Sequence, residues 1–396
     1  MPVQTSRRPQ SPEPGAPGRV PPKIPSQAGP GGRGAGGAKK RTKRKDPLWA
    51  RLTVIFGAVL MMTSGVAIVG SKAVIGQATK NIEERNLLGD AGKTEAEGGK
   101  NLDGPIDMLL LGVDARARWA ADDVRSDTII ILHIPASHDQ AYLISIPRDT
   151  EAEIPGHGTD KINAAFFHGA QNGGGWEGGA QLMAKTIKKM TGISFDGAAI
   201  INFGGFKNVI DALGTVRICV SHEVTSHHMK MVDGKPMWNA DAKKTGKPMK
   251  PVVHEKGCKE MEGWEALDFA RQRYGLPRGD YDRQQNQQQL IKAMAKKATA
   301  NGMLSNPIKL NKLTQAAGKA LVLDTGGVPI ADYMFTLKGV TGNDLITLRT
   351  NGGNFASNGN GRETLNDLSM QMFKAVKDDK LDDFVIANPE VLSTRK

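Results

Sequence analysis

Residues 106–146 read IDMLLLGVDARARWAADDVRSDTIIILHIPASHDQAYLISI, three apolar runs separated by charged and turn-forming residues. Ile106–Val113, Thr128–Ile134 and Ala141–Ile146 are short, rich in branched side chains and bounded by Asp, Pro or Gly. Runs of that length and composition read as buried strands. Helical patterns follow at Ala180–Met190, Gly205–Leu213, Gly263–Arg273 and from Arg283 to about Ala300, with strand-like Ala198–Asn202 and Val216–Val220 among them. Strands alternating with helices predict a layered α/β domain. Ser221–His254 is polar, with Asp233-Gly234 and several Lys, and predicts a surface hairpin or flap. Beyond residue 300 come more helix signals, a strand at Leu345–Leu348 and a last helix near Leu365–Val376. No repeat or linker divides 104–396, so one domain is expected, either as a single core or with 297–396 packed on as an extension.

Upstream, the character changes. Residues 1–48 are crowded with Pro, Gly, Ser and basic side chains, too little apolar surface to offset chain entropy, and predict disorder. Eleven Lys and Arg face two acids there, which is +9 of the chain's +12 and leaves +3 for everything after it. The exported part therefore carries no basic excess of the kind that marks a nucleic-acid partner. Leu52–Val69 is eighteen residues without a charge. At about 1.5 Å per residue it nearly spans a bilayer core of roughly 30 Å, and 49–70 reads as one transmembrane helix. Lys39–Lys45 precedes the span directly, while Lys72 and Lys80 are the only cations in the twenty residues after it. That bias predicts a cytoplasmic N-terminus and an extracytoplasmic C-terminal domain, retained by a signal-anchor rather than cleaved. Residues 71–103, polar and Gly-rich, read as a stem and linker. Only two cysteines occur, Cys219 and Cys258. Outside the membrane a disulfide closing a loop of about forty residues is favoured over two free thiols.

The sequence contains no G-x-S-x-G, H-E-x-x-H or G-x-x-x-x-G-K-[ST] pattern. The glycine-rich 173–179 and 352–361 lack the strand-then-helix setting of a phosphate loop and read as loops. His222, His227 and His228 have no acidic partners at ligand spacing, so a solvated loop is the expectation there. More informative are Arg and Asp at strand ends: Asp114 after the first run, Arg125 and Asp127 before the second, Arg148 and Asp149 after the third. Strand ends border the usual ligand crevice of α/β sheets. Arg271, Arg273, Asp280, Arg283 and Gln287 then fall within seventeen positions, Arg283 and Gln287 on one helix face. Guanidinium forks suit phosphate oxygens, and nearby carboxylates suit a divalent cation that bridges phosphates. Arg–Asp salt bridges on a solvated surface would use the same residues, and spacing does not separate the two.

These segments resemble the LytR-CpsA-Psr family. The likeness is carried in order by LLLGVDAR (Leu109–Arg116), RSDT (Arg125–Thr128), SIPRDT (Ser145–Thr150) and KINA (Lys161–Ala164), then NFGGFKNVIDALGTV (Asn202–Val216), GWEALDFARQR (Gly263–Arg273) and GDYDRQQNQQQ (Gly279–Gln289). It covers about 104–296 and implies an α/β/α sandwich whose cleft holds a polyprenyl-pyrophosphate lipid. The implied activity is Mg²⁺-dependent (or Mn²⁺-dependent) transfer of an anionic glycopolymer from that carrier to peptidoglycan. By motif, Asp114 and Asp127 are implied as metal-side carboxylates, and Arg125, Arg148, Arg271, Arg273 and Arg283 as pyrophosphate-binding residues. Asp114, Arg125, Asp127 and Arg148 form the implied catalytic set, with Asp280 and Gln287 supporting the arginines. Asn286 departs from the family by standing where a basic residue is common, a difference expected at the rim. The other classes open to the sequence are a hydrolase of the same lipid pyrophosphate and a non-catalytic envelope regulator. Phe203, Phe206, Val209 and Ile210 are candidates for a lipid pocket, with core packing as the default role of each.

Overall fold

A computed structural model of the chain describes residues 75–77, 79, 80, 82–113, 124–300, 306–318 and 321–393. The basic tail, the expected span Leu52–Val69 and Asp114 lie outside the described residues. Among those described, no helix is long and apolar enough to cross a membrane.

Strands β1 (Glu83–Glu84), β2 (Ile106–Val113), β3 (Ser126–Ile134) and β4 (Ala141–Ser145) precede a small hairpin, β5 (Glu151–Ile154) and β6 (Gly158–Lys161). Helices α1 (Asn163–Ala170) and α2 (Gly175–Thr191) lead to β7 (Gly197–Asn202), α3 (Phe203–Leu213) and β8 (Val216–Val220). The flap region holds β9 (Val224–Val232), β10 (Lys235–Trp238), α4 (Asn239–Lys244), β11 (Lys250–His254) and β12 (Gly257–Met261). Then come α5 (Gly263–Arg271), α6 (Asp280–Ala300), α7 (Pro307–Ala317) and β13 (Leu321–Asp324). The chain closes with α8 (Ile330–Thr336), β14 (Leu345–Arg349), α9 (Asp367–Lys377) and α10 (Leu381–Ala387).

One mixed sheet, in the order β1-β13-β7-β2-β3-β4-β14, organises the fold. Its alternation of side chains sets the layers. Leu109, Leu111, Ile129, Ile131, Ala198 and Ile200 face a dry core filled from α1, α2, α9 and α10. The intervening Leu110, Ile130, Ala199 and Ile201 face the opposite way, toward α3, α6 and α7. The result is a sheet between two helical layers, as the sequence suggested.

Three local expectations change. The stem read over 71–103 is part of the fold from Glu83 onward: β1 pairs with β13, and Leu87, Leu88 and Ala91 are buried in the main core. Lys93 reaches Asp196 at 2.6 Å and Asp107 at 3.2 Å, an ion-pair cluster that pins this segment beneath the sheet. The loop read over 173–179 is helical from Gly175, because two helices meet there without side chains between them. A Cβ on Gly178 would lie 2.4 Å from the Gly169 carbonyl oxygen, and one on Gly179 would lie 2.8 Å from that of Phe166. The C-terminal hundred residues are not an appendage, since β13 and β14 are strands of the main sheet.

The flap is a three-stranded antiparallel sheet, β10-β9-β11. At its base β8 and β12 pair antiparallel with Cys219 opposite Cys258, and the two are joined by a disulfide. Replacing both by Ser should cost ~3–4 kcal/mol of unfolding free energy, on the chain entropy of a loop of this size. Denaturant titration of the double variant against the oxidised chain measures it; an unchanged midpoint would deny the bond a stabilising role.

Candidate active site

Where β2 ends, β3 begins: Gly112 pairs with Thr128 and Val113 with Ser126 across a register irregularity, so Asp127 is the bulged residue at the start of the interior strand β3. The chain leaving β4 stays against β3 through Ile146 N–H donating to the Ile129 carbonyl at 2.9 Å, and after Pro147 it presents Arg148 to Asp127. Arg148 Nη1 donates to Asp127 Oδ1 at 2.7 Å, and its Nε lies 3.8 Å from Asp149 and 3.9 Å from Asp280. The third contributor is the N-terminus of α6, where Arg283 sits 2.7 Å from Asp280 Oδ1 and donates to the Asp127 carbonyl at 3.0 Å. Asp127, Arg148, Asp280 and Arg283, drawn from three separate segments, thus form one cluster.

Burial works against the positive charge of Arg148. Asp127, bonded to it, together with Asp280 and Asp149, outweighs that effect and holds its pKa above the ordinary value. Both guanidinium groups nonetheless keep donors in reserve: Arg148 Nε and Arg283 Nε are buried and, among the described residues, make no hydrogen bond. Gln287, one helical turn beyond Arg283 and 8 % exposed, likewise has an unpartnered Oε1. Unsatisfied buried polar atoms are costly and uncommon. Two of these atoms are guanidinium donors and two, Gln287 Oε1 and Asp280 Oδ1, are acceptors, so the cluster holds unspent donors beside unspent acceptors.

Sequence reading missed the scaffold behind this cluster. Tyr281, beside Asp280, donates to Glu363, a buried carboxylate that also accepts from Asn351 Nδ2 at 2.9 Å. Burial raises the Glu363 pKa despite those bonds, and burial with Glu363 raises that of Tyr281, which stays a protonated donor. Glu363 N–H donates to the Asp149 carbonyl at 2.9 Å, so the C-terminal segment ties the Arg148 loop to α6. Gln288 Nε2 reaches the carbonyls of Leu143 (3.1 Å) and Leu348 (2.7 Å), anchoring the Gln-rich first half of α6. Asn286, expected at the rim, is instead 2 % exposed. Residues bonded this far apart in the chain leave no local periodicity to read.

The other motif arginines engage aromatic rings. Arg125 is exposed with its guanidinium 5.0 Å above Phe167. Arg271 lies between Phe203 and Trp238, at 4.4 and 5.1 Å, and Arg273 rests 4.6 Å over Tyr274. Beneath them, Asp268 is fully buried; it accepts from Ser226 Oγ at 2.9 Å and bonds His254 Nε2 at 2.7 Å, fastening the flap to α5. Among the described residues no three His, Cys, Asp or Glu come together as a metal cluster, the flap histidines included.

Directly beside the polar cluster opens an apolar cavity of about 340 Å³ between the sheet and α3, α6 and α7. Gly112 and Thr128, the latter adjacent to Asp127, line it together with Leu110, Ala199, Phe206 and Met294. Of the four lipid-pocket candidates, Phe206 and Val209 line this cavity, Ile210 is buried in a neighbouring core, and Phe203 holds Arg271.

Comparison with known proteins follows the same lines. The LytR_cpsA_psr family matches residues 72–378. Cell wall biosynthesis protein LcpA of Corynebacterium glutamicum is 27 % identical over 323 residues, 73 % of this chain and 57 % of that protein. The Bacillus cereus polyisoprenyl-teichoic acid–peptidoglycan teichoic acid transferase TagU is 31 % identical over 205 residues, 51 % of this chain and 55 % of its own length. The chain thus spans about half the length of the curated relatives it matches. The crystal structure of B. subtilis TagV shares the fold, with a TM-score of 0.52 at 21 % identity over 71 % of this chain and 98 % of that one. The family match extends over most of the chain, and the chain belongs to the LytR_cpsA_psr family.

Proposed function

We propose that this chain is a phosphotransferase that moves an anionic glycopolymer from a polyprenyl-pyrophosphate carrier to peptidoglycan. The observation that carries the reading is the junction of an Arg–Asp cluster, whose two guanidinium groups keep unused buried donors, and an apolar cavity beside Thr128. An amphiphile with a doubly charged head and a hydrocarbon tail matches both halves at once. The name of the B. cereus relative supports the same class of reaction. The account includes an anchor at Leu52–Val69, with residues 1–48 in the cytoplasm and the catalytic domain outside.

In the reaction, a hydroxyl oxygen of peptidoglycan bonds to the phosphorus nearest the polymer. The bond from that phosphorus to the bridging oxygen breaks, and polyprenyl phosphate departs with the electron pair. The hydroxyl proton passes to a carboxylate of the site. Such a transfer needs positioning and charge neutralisation more than a protein nucleophile. Arg148 and Arg283 supply donors to the phosphate oxygens and orient them. A divalent cation fits the residues present: hard cations take carboxylate and phosphate oxygens without a complete protein cage. Asp127 commits only Oδ1 to Arg148 among the described residues, leaving its second oxygen for this role, with Asp114 as partner. When bound, Mg²⁺ (or Mn²⁺) neutralises phosphate charge.

The full chain in detergent, given carrier-linked polymer with radioactive phosphorus next to the sugar, should put label into sedimented peptidoglycan and release unlabelled polyprenyl monophosphate. Label released to water with or without peptidoglycan would make the protein a hydrolase instead. Asp127→Asn should fold normally, lose roughly 10²-fold in turnover and respond weakly to Mg²⁺. A folded variant with the wild-type Mg²⁺ response would remove Asp127 from the metal side.

A further inference from the structure

The cluster and the cavity account for the head and tail of a carrier lipid but not for the exposed aromatic wall beside them. Trp238 is 40 % exposed and Tyr274 53 % exposed, yet both rings are held. Trp238 closes β10, in register with Met229 of β9, and lies against Arg271. Tyr274 hydroxyl accepts from Arg273 Nη2 at 2.5 Å and its ring meets that of His227 at 5.1 Å. His227 is fixed in turn, its N–H donating to Gln272 Oε1 at 3.1 Å and its carbonyl accepting from Asn239 Nδ2 at 2.5 Å. With Ser226 and His254 bonded to buried Asp268, the flap is a built wall rather than a loose loop.

The wall stands at the same end of the sheet as the Arg–Asp cluster. Phe203, which holds Arg271, directly follows Asn202, and Asn202 pairs with Val113, the partner of Ser126. One turn along the same helix, Phe206 lines the apolar cavity. On a carrier lipid, the group bonded to the pyrophosphate on the side away from the prenyl chain is a sugar. Aromatic faces beside guanidinium and hydroxyl groups suit a pyranose, whose C–H face stacks while its hydroxyls find donors and acceptors.

We infer that Trp238 and Tyr274, fixed by the flap against Arg271 and Arg273, form the subsite that stacks the first sugar of the glycopolymer. Recognition of the donor sugar then resides in the flap. The inference rests on the pyrophosphate reading above.

The test compares geranylgeranyl pyrophosphate with the same lipid pyrophosphate carrying one N-acetylhexosamine, each titrated against full-length protein in detergent. Wild type should bind the glycosylated compound more tightly. Trp238→Ala and Tyr274→Ala should each weaken it by about tenfold, with bare pyrophosphate binding changed less than about twofold and melting temperature held. Trp238→Phe should recover most of the loss. Equal losses for both compounds, or no loss for either, would overturn the sugar subsite while leaving the pyrophosphate reading standing. Wild-type protein that binds neither compound would overturn both.

Discussion

Arg148→Ala is expected to lower kcat/KM for carrier-linked polymer by roughly 10²–10³-fold, about 2.7–4 kcal/mol of transition-state stabilisation. Arg148 is the hub of the cluster, within reach of Asp127, Asp149 and Asp280 and with its Nε unused. On the proposed reading its removal would withdraw a phosphate-binding fork and leave three carboxylates facing an anionic ligand. Binding of geranylgeranyl pyrophosphate should fall with turnover, and excess Mg²⁺ should not restore it. Arg148→Lys keeps the charge but not the planar fork, so it should recover little. Some stability is lost too, since breaking a part-buried pair is destabilising. Titration calorimetry and thermal melts on the same samples separate the effects. A variant that melts lower but binds lipid as wild type would make Arg148 a structural ion pair only.

Filling the cavity gives the second large effect. Ala199 of β7 lines it, and Ala199→Trp puts an indole where the prenyl chain is expected. Burial of apolar groups contributes about 0.8 kcal/mol per methylene, so wild-type affinity should climb steeply from geranyl to geranylgeranyl pyrophosphate. In Ala199→Trp that climb should flatten, with geranylgeranyl pyrophosphate weakened by roughly 10²-fold and the geranyl compound affected far less, because the polar cluster is untouched. A chain-length dependence equal to wild type in a folded variant would place the tail elsewhere.

Several strands, in the main sheet and outside it, are legible in the chain. Ile106–Val113 and Val216–Val220 match the strands residue for residue because short branched runs between turn residues fit little else. The face each residue takes also follows, since Leu109 and Leu111 enter the core and Leu110 the cavity. What local pattern could not convey lies in pairings across the chain. The two-residue β1 is polar and becomes a strand only because Val322 and Leu323 lie alongside it. Tyr281 and Glu363 are 82 residues apart, and Lys93 and Asp196 are 103 apart. In the site, the motifs pointed to Asp127, Arg148, Asp280 and Arg283, which meet. They could not separate these from Arg125 and Arg271, whose aromatic partners come from other elements, or from Arg273, which rests on its chain neighbour Tyr274. Asp114 stays a proposal from motif alone.

A co-crystal structure of the full-length protein with geranylgeranyl pyrophosphate is the decisive experiment. The two phosphates should lie between Arg148 and Arg283, each within hydrogen-bond distance of a guanidinium, with the prenyl chain between the sheet and α3. Density for the lipid elsewhere, or phosphates that leave both arginines with their carboxylate partners alone, would contradict the pyrophosphate reading.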